Sequence, residues 1–362
     1  MKFEVSTRDF NNALKMVATT DAAEIKLTAA DLNSLEIDAD GGVNSIHIHL
    51  SAEAVMEPGS VLLSTRFMND IVKKTDDPLI SIYSSNENGV VMIKSGKAKF
   101  KLNTGTETRN TDSLPSEDLK QFTFKGKLLS DLFDRVSYAA ALKTTRPVLT
   151  GVNLSCEGSV LRAVATDSYR LAKAEVYGIK EINDFNITIP QVTVSALQST
   201  LLTNEDESIT VSTDEKRAFF SNGDITVGTR LLNEPYPDVA RLIPAVFENS
   251  ITVSRKEFQD VLERSMFLKS KDEAAVIHLM FSEKGGIKVS SDSKEIGSFE
   301  EDLEGTTEYP DIFSIFFSSA YMINALKHIR KETVTVRFTG ELKPFVIEDD
   351  EVVHLMLPIR RY

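Results

Sequence analysis

The chain has 362 residues, more than one hydrophobic core usually organises, which predicts two or three domains. Its 41% hydrophobic and 26% charged residues are typical of a soluble globular protein, and no uncharged apolar run is long enough to span a membrane. The net charge of −13 argues against a DNA-binding surface unless basic residues are segregated onto one face, away from an acidic remainder.

The sequence also predicts a cytoplasmic protein. The N-terminal residues MKFEVSTRDF lack the basic and apolar regions of a signal peptide. The one cysteine, Cys156, cannot form an internal disulfide, as expected in a reducing compartment. Because Cys156 ends the apolar run Val152–Cys156, we predict a packed core thiol and not a nucleophile.

Three segments repeat one pattern, a short strand followed by a helix that is apolar on one face. The helical stretches carry apolar residues at i, i+3 and i+4, such as Phe10, Ala13 and Leu14 in the first. The three pairs are Phe3-Glu4-Val5 with Arg8–Val17, Phe122-Thr123-Phe124 with Lys127–Tyr138, and Ile251-Thr252-Val253 with Lys256–Phe267.

A second strand-and-helix unit recurs after each of these. Val61-Leu62-Leu63, Ile187-Thr188-Ile189 and Ile315-Phe316-Phe317 precede the predicted helices. Ser64, Pro190 and Ser318 stand at the helix starts, where a hydroxyl cap or a proline suits the unpaired amides.

Alternating strand patterns then follow, with turn signals at Asn88-Gly89 and Asn222-Gly223. Each third of the chain is therefore predicted to be a sheet-rich α+β domain with two helices. The predicted domains are residues 1–119, 120–246 and 247–362, and Ser113–Leu119 and Pro235–Pro244 are predicted connections. Gene duplication alone explains such a chain, but repeated units can also close into a ring, and dimerisation would place six units in one ring.

Four further motifs occur in order along this triplicated chain. The central one is LRAVATDSYRLA at residues 161–172. The others are RPVLTGV at 146–152, EPYPD at 234–238 followed by LIP at 242–244, and LMLPIR at 355–360. Together they closely resemble the bacterial sliding clamp family, the beta subunit of DNA polymerase III, over essentially the whole chain.

This resemblance implies the DNA clamp fold, with helices lining a central hole, sheets outside, and two subunits paired head to tail in a ring. It implies no catalytic activity and no cofactor. The implied partners are double-stranded DNA bound without sequence preference, a second copy of the chain, the DNA polymerase III catalytic subunit, the clamp loader, and other clients carrying a peptide similar to Q-L-x-L-F.

The family docks such peptides in a groove between its middle and last domains. An apolar groove accepts the Leu and Phe anchors, while Arg and Thr fix polar atoms of the peptide. Without the resemblance, the apolar members of this set would be interpreted as core residues. The positions here that match the groove are Arg146, Leu149, Thr166, Ser168, Tyr169, Arg170, Leu171, Pro237, Leu242, Pro344, Leu355, Met356, Leu357, Pro358 and Ile359. Ser168 and Tyr169 replace the family's commoner glycine and histidine.

Two oppositely charged segments, Lys94–Lys101 and Glu295–Glu304, are predicted edge strands that could pair between subunits, although solvated edges would explain the same charges. The implied dimer interface comprises Lys94, Lys97, Lys99, Phe100, Lys101, Phe267, Leu268, Glu300, Glu301 and Glu304.

Cations on or beside the repeated helices are the candidate DNA contacts, directed at phosphates and therefore independent of base sequence. They are Lys15, Arg66, Lys73, Lys74, Lys127, Arg135, Lys143, Arg264, Lys327 and Arg330. Two family contacts are missing, because the basic loop after the first helix is shortened and Gln191-Val192 stand where the family has a lysine.

Two other functions compete with a clamp. An enzyme lacks support, because no Walker loop, G-x-S-x-G motif or Cys-His pair is present, and no metal-binding spacing occurs among the histidines. His47 and His49 could share a metal from one strand, but a solvated strand face explains them better. A monomeric adaptor that retains the peptide groove is the second alternative, favoured by the shortened loop.

Overall fold

The computed structural model describes residues 1–85, 89–104, 114–115, 119–180, 182–204, 206–268, 275–282, 286–308 and 312–360. Asn88 of the predicted Asn88-Gly89 turn and most of the predicted connection Ser113–Leu119 lie outside these residues. The chain forms two compact units, Met1–Ser130 with Val192–Asn233 (unit 1) and Asp131–Gln191 with Glu234–Tyr362 (unit 2).

The described residues contain six α-helices, all at positions that the repeats predict. They are α1 (Thr7–Val17), α2 (Thr65–Lys73), α3 (Gly126–Val136), α4 (Gln191–Ser199), α5 (Arg255–Ser265) and α6 (Ser319–Lys327). Single 3-10 turns follow three of them, at Ala18–Thr20, Ser137–Ala139 and Met266–Leu268, and others lie at Pro147–Thr150, Leu201–Thr203 and Ala240–Leu242. No helix of the described part of the chain is long and apolar enough to cross a membrane.

The strands follow the predicted alternation. They are β1 (Lys2–Ser6), β2 (Glu24–Ala30), β3 (Ser34–Asp40), β4 (Asn44–Ser51), β5 (Ala54–Glu57), β6 (Gly59–Ser64), β7 (Leu79–Ser85), β8 (Val90–Ser95), β9 (Ala98–Asn103), β10 (Lys120–Lys125), β11 (Gly151–Glu157), β12 (Val160–Thr166), β13 (Arg170–Tyr177), β14 (Phe185–Pro190), β15 (Ser208–Thr213), β16 (Arg217–Ser221), β17 (Ile225–Arg230), β18 (Asn249–Ser254), β19 (Val276–Ser282), β20 (Gly286–Ser293), β21 (Gly297–Leu303), β22 (Gly305–Thr307), β23 (Phe313–Ser318), β24 (Thr333–Phe338), β25 (Phe345–Asp349) and β26 (Val352–Met356).

Unit 1 contains a five-stranded sheet of order β5-β1-β7-β8-β9 and an eight-stranded sheet of order β10-β15-β16-β17-β4-β3-β2-β6. Unit 2 contains a nine-stranded sheet, β14-β11-β12-β13-β26-β25-β24-β18-β22, and a four-stranded sheet, β21-β20-β19-β23. Every strand pair among the described residues is antiparallel. The second sequence repeat therefore contributes strands to both units.

The apolar faces predicted for the helices are buried. α1 buries Phe10, Ala13, Leu14 and Val17, and α5 buries Phe258, Val261 and Leu262. Each large apolar side chain removed from water stabilises the fold by about 1.5–3 kcal/mol, so these faces fix the helices against their sheets.

Serines cap several helix starts. The hydroxyl of Ser318 accepts a hydrogen bond from the amide of Tyr321, as predicted, and Ser6 and Ser254 cap α1 and α5 in the same way. The hydroxyl of Ser64 makes no such bond, so the predicted side-chain cap of α2 is wrong.

The connection after α1 is as short as the sequence predicts. One 3-10 turn follows Val17, the chain reverses at Asp21 in the left-handed region (φ 58°), and β2 begins at Glu24. Asp21 is the only charged residue between Val17 and β2.

Candidate functional site

The central motif forms a tight turn between β12 and β13. The Asp167 carboxylate accepts hydrogen bonds from the amides of Tyr169 and Arg170, both at 2.9 Å. The Thr166 hydroxyl donates to the Arg170 carbonyl at 2.7 Å. Ser168 at the tip has φ 78°, a left-handed conformation in which glycine is unstrained, and this explains the family's commoner glycine at this position.

Strand pairing brings the two ends of the predicted groove together. In β13 and β26, Arg170 lies opposite Met356 and Leu171 opposite Leu355. The Leu357 amide then donates to the Tyr169 carbonyl at 2.9 Å, which fixes the start of the C-terminal tail beside the turn.

Leu171 and Leu355 share a small apolar cluster with three residues that the sequence analysis did not include. These are Val164 of β12, Val346 of β25 and Val239, and Tyr236, Ile243, Phe247 and Val353 pack against them partly buried. Alternation along β12 and β25 places Val164 and Val346 on the same sheet face, a signal that the strand patterns already carried.

The predicted groove residues differ in access. Leu242, Leu357 and Tyr169 are exposed, Pro237 is half-buried, and Leu171 and Leu355 are only 2% and 3% exposed. The exposed members can therefore receive an apolar side chain directly, whereas Leu171 and Leu355 form the floor beneath the segment that contains Val239 and Ile243. For these two leucines and Met356, the core interpretation is correct in this conformation.

Arg170 lies on the other face of β13 from Leu171. Its guanidinium packs 4.6 Å from the ring centre of Tyr321 and 5.4 Å from that of Tyr138, and its Nε donates to Asp167 at 3.0 Å. Cation–π contacts of this kind stabilise a desolvated arginine. The buried Nη1 has no hydrogen-bond partner among the described residues.

Tyr138 connects this arginine to two histidines. Its hydroxyl lies 2.8 Å from Nδ1 of His354, and its ring stacks on His328 with centroids 4.7 Å apart. Burial lowers the pKa of His354 to about 3 and raises that of Tyr138, so both stay neutral at physiological pH. Tyr138, held by its contact with His354, packs against the guanidinium at the Arg170 end of the motif.

The remaining predicted groove residues are Arg146, Leu149, Pro344, Pro358 and Ile359. Arg146 is exposed beside the 3-10 turn Pro147–Thr150, in which Leu149 is buried. Pro344 directly precedes β25 and accepts a hydrogen bond from the Thr339 hydroxyl. Pro358 is half-buried, and the Ile359 amide donates to the Phe316 carbonyl at 2.7 Å, so the tail is anchored to β23.

The candidate DNA-contacting cations fall into two groups. Arg66, Lys73 and Lys74 on and just after α2 are exposed and have no ion-pair partner within the described ranges. Lys15 and Lys143 are exposed as well, and Lys127 lies in the first turn of α3.

The candidate cations on or beside α5 and α6 each have a carboxylate partner within the chain. Arg264 pairs with Glu301 through two hydrogen bonds of 2.6 and 2.9 Å, Lys327 lies 4.0 Å from Glu263, and Arg330 pairs with Asp131. Arg135 forms a buried ion pair with Asp349, whose side chain is fully buried. The expectation that Arg135 is an exposed DNA-facing cation is therefore wrong, because its helix position faces the interior.

The two charged segments lie at sheet edges, as predicted. β9 is the last strand of the five-stranded sheet and β21 the first of the four-stranded sheet. The predicted single strand Lys94–Lys101 is instead a hairpin, because Gly96 turns the chain at φ 54° between β8 and β9. Lys94 lies in β8, Lys97 in the turn, and Lys99, Phe100 and Lys101 in β9.

On β21, Glu300 pairs with Lys288 at 2.7 Å, Glu301 with Arg264, and Glu304 is exposed just after the strand. Phe267, in the 3-10 turn after α5, is 84% exposed, and Leu268 follows it. An exposed phenyl ring beside an open strand edge is typical of an interaction surface.

Comparison with known proteins matches three family profiles in order along the chain. They describe the DNA polymerase III beta subunit N-terminal domain at residues 1–109, its central domain at 123–238 and its C-terminal domain at 240–360.

Individual relatives agree with these profiles. The beta sliding clamp of Bacillus subtilis (strain 168) is 34% identical over 314 residues, covering 85% of this chain and 82% of that protein. A Staphylococcus epidermidis beta sliding clamp is 33% identical over 346 residues, covering 94% and 89%. The crystal structure of the Bacillus subtilis DNA polymerase sliding clamp matches with a TM-score of 0.91 and 30% identity over 100% of both chains. The chain therefore belongs to the family of bacterial DNA polymerase III beta subunits, the beta sliding clamps.

Proposed function

We propose that this protein is a processivity factor that encircles duplex DNA and tethers the replicative polymerase without catalysing a reaction itself. The ordered match of three beta-clamp profiles along one chain carries this proposal, because an isolated adaptor domain would need only the parts that bind clients. We expect no cofactor and a cytoplasmic location beside the chromosome.

The proposed ring consists of two chains, each with clamp domains at residues 1–119, 120–246 and 247–362. The strand order supports the way in which these domains join. The final strand of one repeat pairs antiparallel with a strand of the preceding repeat, namely the third strand after that repeat's first helix. The described part of the chain contains two such junctions, β17 with β4 and β26 with β13. The equivalent strands β9 and β21 are sheet edges without such a partner in the described chain.

Pairing of β9 with β21 of a second copy would repeat this junction between subunits. Lys99 and Lys101 would face an acidic strand with Glu300 and Glu301, and Phe100, Phe267 and Leu268 would supply apolar contact. Glu304, Lys94 and Lys97 would lie at the ends of the junction.

The DNA contacts would be made to phosphates by exposed cations such as Arg66, Lys73, Lys74, Lys127 and Lys143. Contacts of this kind are independent of base sequence and weaken as salt increases, which suits a protein that slides. The paired cations Arg264, Lys327 and Arg330 would contribute less, since each already has a carboxylate partner.

Client proteins, including the polymerase catalytic subunit and the clamp loader, would dock a short peptide similar to Q-L-x-L-F against the surface near Leu242 and Leu357. The apolar cluster of Val164, Leu171 and Leu355 lies below, and the turn at Ser168 and Tyr169 forms one end. Small shifts of the segment that contains Val239 would open this floor to a Leu or Phe anchor.

Processive synthesis tests tethering directly. Primer extension with the cognate polymerase and clamp loader, under conditions that allow one binding event per primer, should give much longer products when this protein is present. Product lengths that are unchanged by its addition would contradict the proposal, as would turnover of any nucleotide by the protein alone.

A further inference from the structure

The junction of β4 with β17 repeats the geometry of the proposed peptide groove. At the groove, the Leu357 amide donates to the Tyr169 carbonyl at 2.9 Å. At this junction the Arg230 amide donates in the same way to the Val43 carbonyl, at 3.1 Å. Two residues away from each bond, the floor is a row of paired residues on three strands, which is Leu171, Leu355 and Val346 at the groove and Ser45, Gly228 and Phe219 at this junction. The β4–β17 junction therefore has a site equivalent to the groove.

The side chains on this floor leave an open space. Ser45 and Gly228 stand where the groove has two leucines. Ser45 and Phe219 line a cavity of about 660 Å³, the junction cavity, together with Val43 and Leu231. A Cβ at position 228 would lie 2.5 Å from the Ser45 Oγ and 3.0 Å from the Phe219 ring, so glycine lets these two side chains lie close together.

The rim of the junction cavity differs from the groove in charge. Arg217 and Arg230 stand where the groove has Pro344 and Leu357. The two arginines are direct cross-strand partners on β16 and β17, so their side chains lie side by side on one sheet face. Arg217 lies 3.9 Å from the Asp214 carboxylate. Like charges directly opposite each other destabilise a sheet, so this pair favours a further anionic partner.

Lys216 adds a third cation at the same end of the junction cavity. Its carbonyl accepts a hydrogen bond from the Leu231 amide at 2.8 Å, which places it beside Arg230. Lys216 and Arg230 are both exposed, and neither has an ion-pair partner within the described ranges. The Asp214 carboxylate already accepts hydrogen bonds from the amides of Lys216 and Arg217, both at 2.7 Å. This end of the cavity therefore carries a surplus of positive charge.

We propose that the junction cavity is a second docking site, which binds acidic peptide segments of partner proteins. A peptide carboxylate would lie between Lys216 and Arg230, and an adjacent apolar side chain would enter beside Val43 and Leu231. The proposal rests on the proposed function only for the comparison with the peptide groove, since the two sites share no residue.

The opposite end of the junction cavity favours a peptide over a nucleic acid. Asp40 on β3 is paired with Ser45 on β4, so its carboxylate lies at the far end of the floor from the cations. A nucleic acid carries a negative charge at every phosphate and would be repelled by Asp40. A peptide can place a neutral or basic residue there.

The cations should reduce stability while they serve binding. Arg230→Gln removes one of two facing charges, so it should raise the urea midpoint of unfolding without peptide and still weaken peptide binding. A residue present only for folding would lower the midpoint. Lys180→Gln, at an exposed cation in unit 2, is the control and should change neither quantity.

The test begins with random heptapeptides displayed on phage, selected on the full-length protein while saturating Q-L-x-L-F peptide occupies the proposed groove. The enriched sequences should carry Asp or Glu beside an apolar residue. In fluorescence anisotropy, a labelled enriched peptide should bind Arg230→Glu at least tenfold more weakly, the equivalent of about 1.4 kcal/mol. Asp40→Asn should bind it more tightly, and Lys180→Glu should bind it as the parent does. Replacing the acidic residues of the peptide by Asn or Gln should also weaken binding at least tenfold.

Several results would overturn the proposal. These are selection of no acidic peptides, parental affinity in Arg230→Glu, displacement of the peptide by an equal concentration of oligo(dT), and a lowered urea midpoint in Arg230→Gln. Leu242→Lys should bind the acidic peptide as the parent does. Failure of the parent to be retained on circular DNA, with acidic-peptide binding still dependent on Arg230, would overturn the clamp function and not this site.

Discussion

Among individual residues, Ser168 carries a conformational cost within the central motif. A non-glycine residue at φ 78° loses about 1 kcal/mol relative to an unstrained conformation, and a β-branched one loses more. We expect Ser168→Gly to raise the free energy of unfolding by about 0.5–1 kcal/mol and Ser168→Val to lower it by about 1–2 kcal/mol. Urea unfolding measures both, and a Ser168→Val variant as stable as the parent would contradict the left-handed turn.

Leu242 offers a cleaner test of the peptide groove than Leu171. A lysine at Leu171 would bury an ammonium in the apolar cluster and impair folding, whereas Leu242 is 52% exposed and tolerates charge. Leu242→Lys should weaken binding of a Q-L-x-L-F peptide at least tenfold, about 1.4 kcal/mol, in a calorimetric titration. Leu32→Lys, at a fully exposed leucine, is the control and should bind as the parent does. Undiminished binding by Leu242→Lys would place the groove elsewhere.

His47 makes stability depend on pH. The hydrogen bond from its Nδ1 to the Asp38 carboxylate, 2.9 Å long, raises the pKa of His47 above its ordinary value. A histidine whose pKa is higher in the folded chain than in the unfolded chain stabilises the fold when it is protonated. This contribution is complete below the pKa of the unfolded chain, about 6.5, and is lost as the pH rises through the pKa of the folded chain. We therefore expect the stability difference between the parent and His47→Gln to be larger at pH 5.5 than at pH 8.5. Urea unfolding at the two pH values measures it, and an equal or larger difference at pH 8.5 would exclude a charged His47–Asp38 pair.

At the scale of elements, the edge strands β9 and β21 decide whether two chains pair. Lys99→Glu with Lys101→Glu would set two carboxylates against the acidic β21, and like charges across an interface cost several kcal/mol. The double variant should raise the dimer dissociation constant at least tenfold in sedimentation equilibrium. Lys180→Glu with Lys216→Glu makes the same charge change at exposed positions away from either edge and should dimerise as the parent does. An unchanged constant for the β9 variant would place the interface elsewhere, and a monomeric parent would favour the adaptor alternative.

The helices were predictable because their signal is local. Phe10, Ala13, Leu14 and Val17 reveal their shared face within one short stretch, and the structure buries all four. Side-chain partners distant in sequence carry no such signal. Arg135 stands on a helix among candidate DNA contacts, yet it pairs with Asp349, 214 positions away, and is buried. The apolar periodicity of α3 predicts which face of the helix is buried. It does not predict which polar residue beside that face forms an ion pair with a buried carboxylate.

The candidate groove was predictable only in part for the same reason. The family motifs indicate Leu171 and Leu355, and strand pairing places them side by side. The motif around Val239 and Ile243 places Pro237 and Leu242 at the groove, but the segment has no regular periodicity that would predict Val239 and Ile243 covering this pair. The rings of Tyr138 and Tyr321 around Arg170 likewise depend on tertiary packing.

At the scale of the whole molecule, the repeats and the compact units divide the chain differently. Sequence similarity separates three repeats, but the sheets cross the repeat boundaries where β17 pairs with β4 and β13 with β26. Backbone hydrogen bonds at these junctions leave no open edge between consecutive repeats, which is what a closed ring requires. Pairing of β9 in one chain with β21 in a second chain would form the same kind of antiparallel junction between subunits.

Encirclement is the central claim, and its direct test is topological. The protein, labelled with a fluorophore and loaded by a compatible clamp loader, is followed on a nicked circular duplex and on the same DNA after linearisation by one cut. Weak phosphate contacts do not hold a ring in place, so we expect the linear form to lose the protein rapidly over its ends while the circle retains it. Equal rates of loss from circular and linear DNA would contradict encirclement.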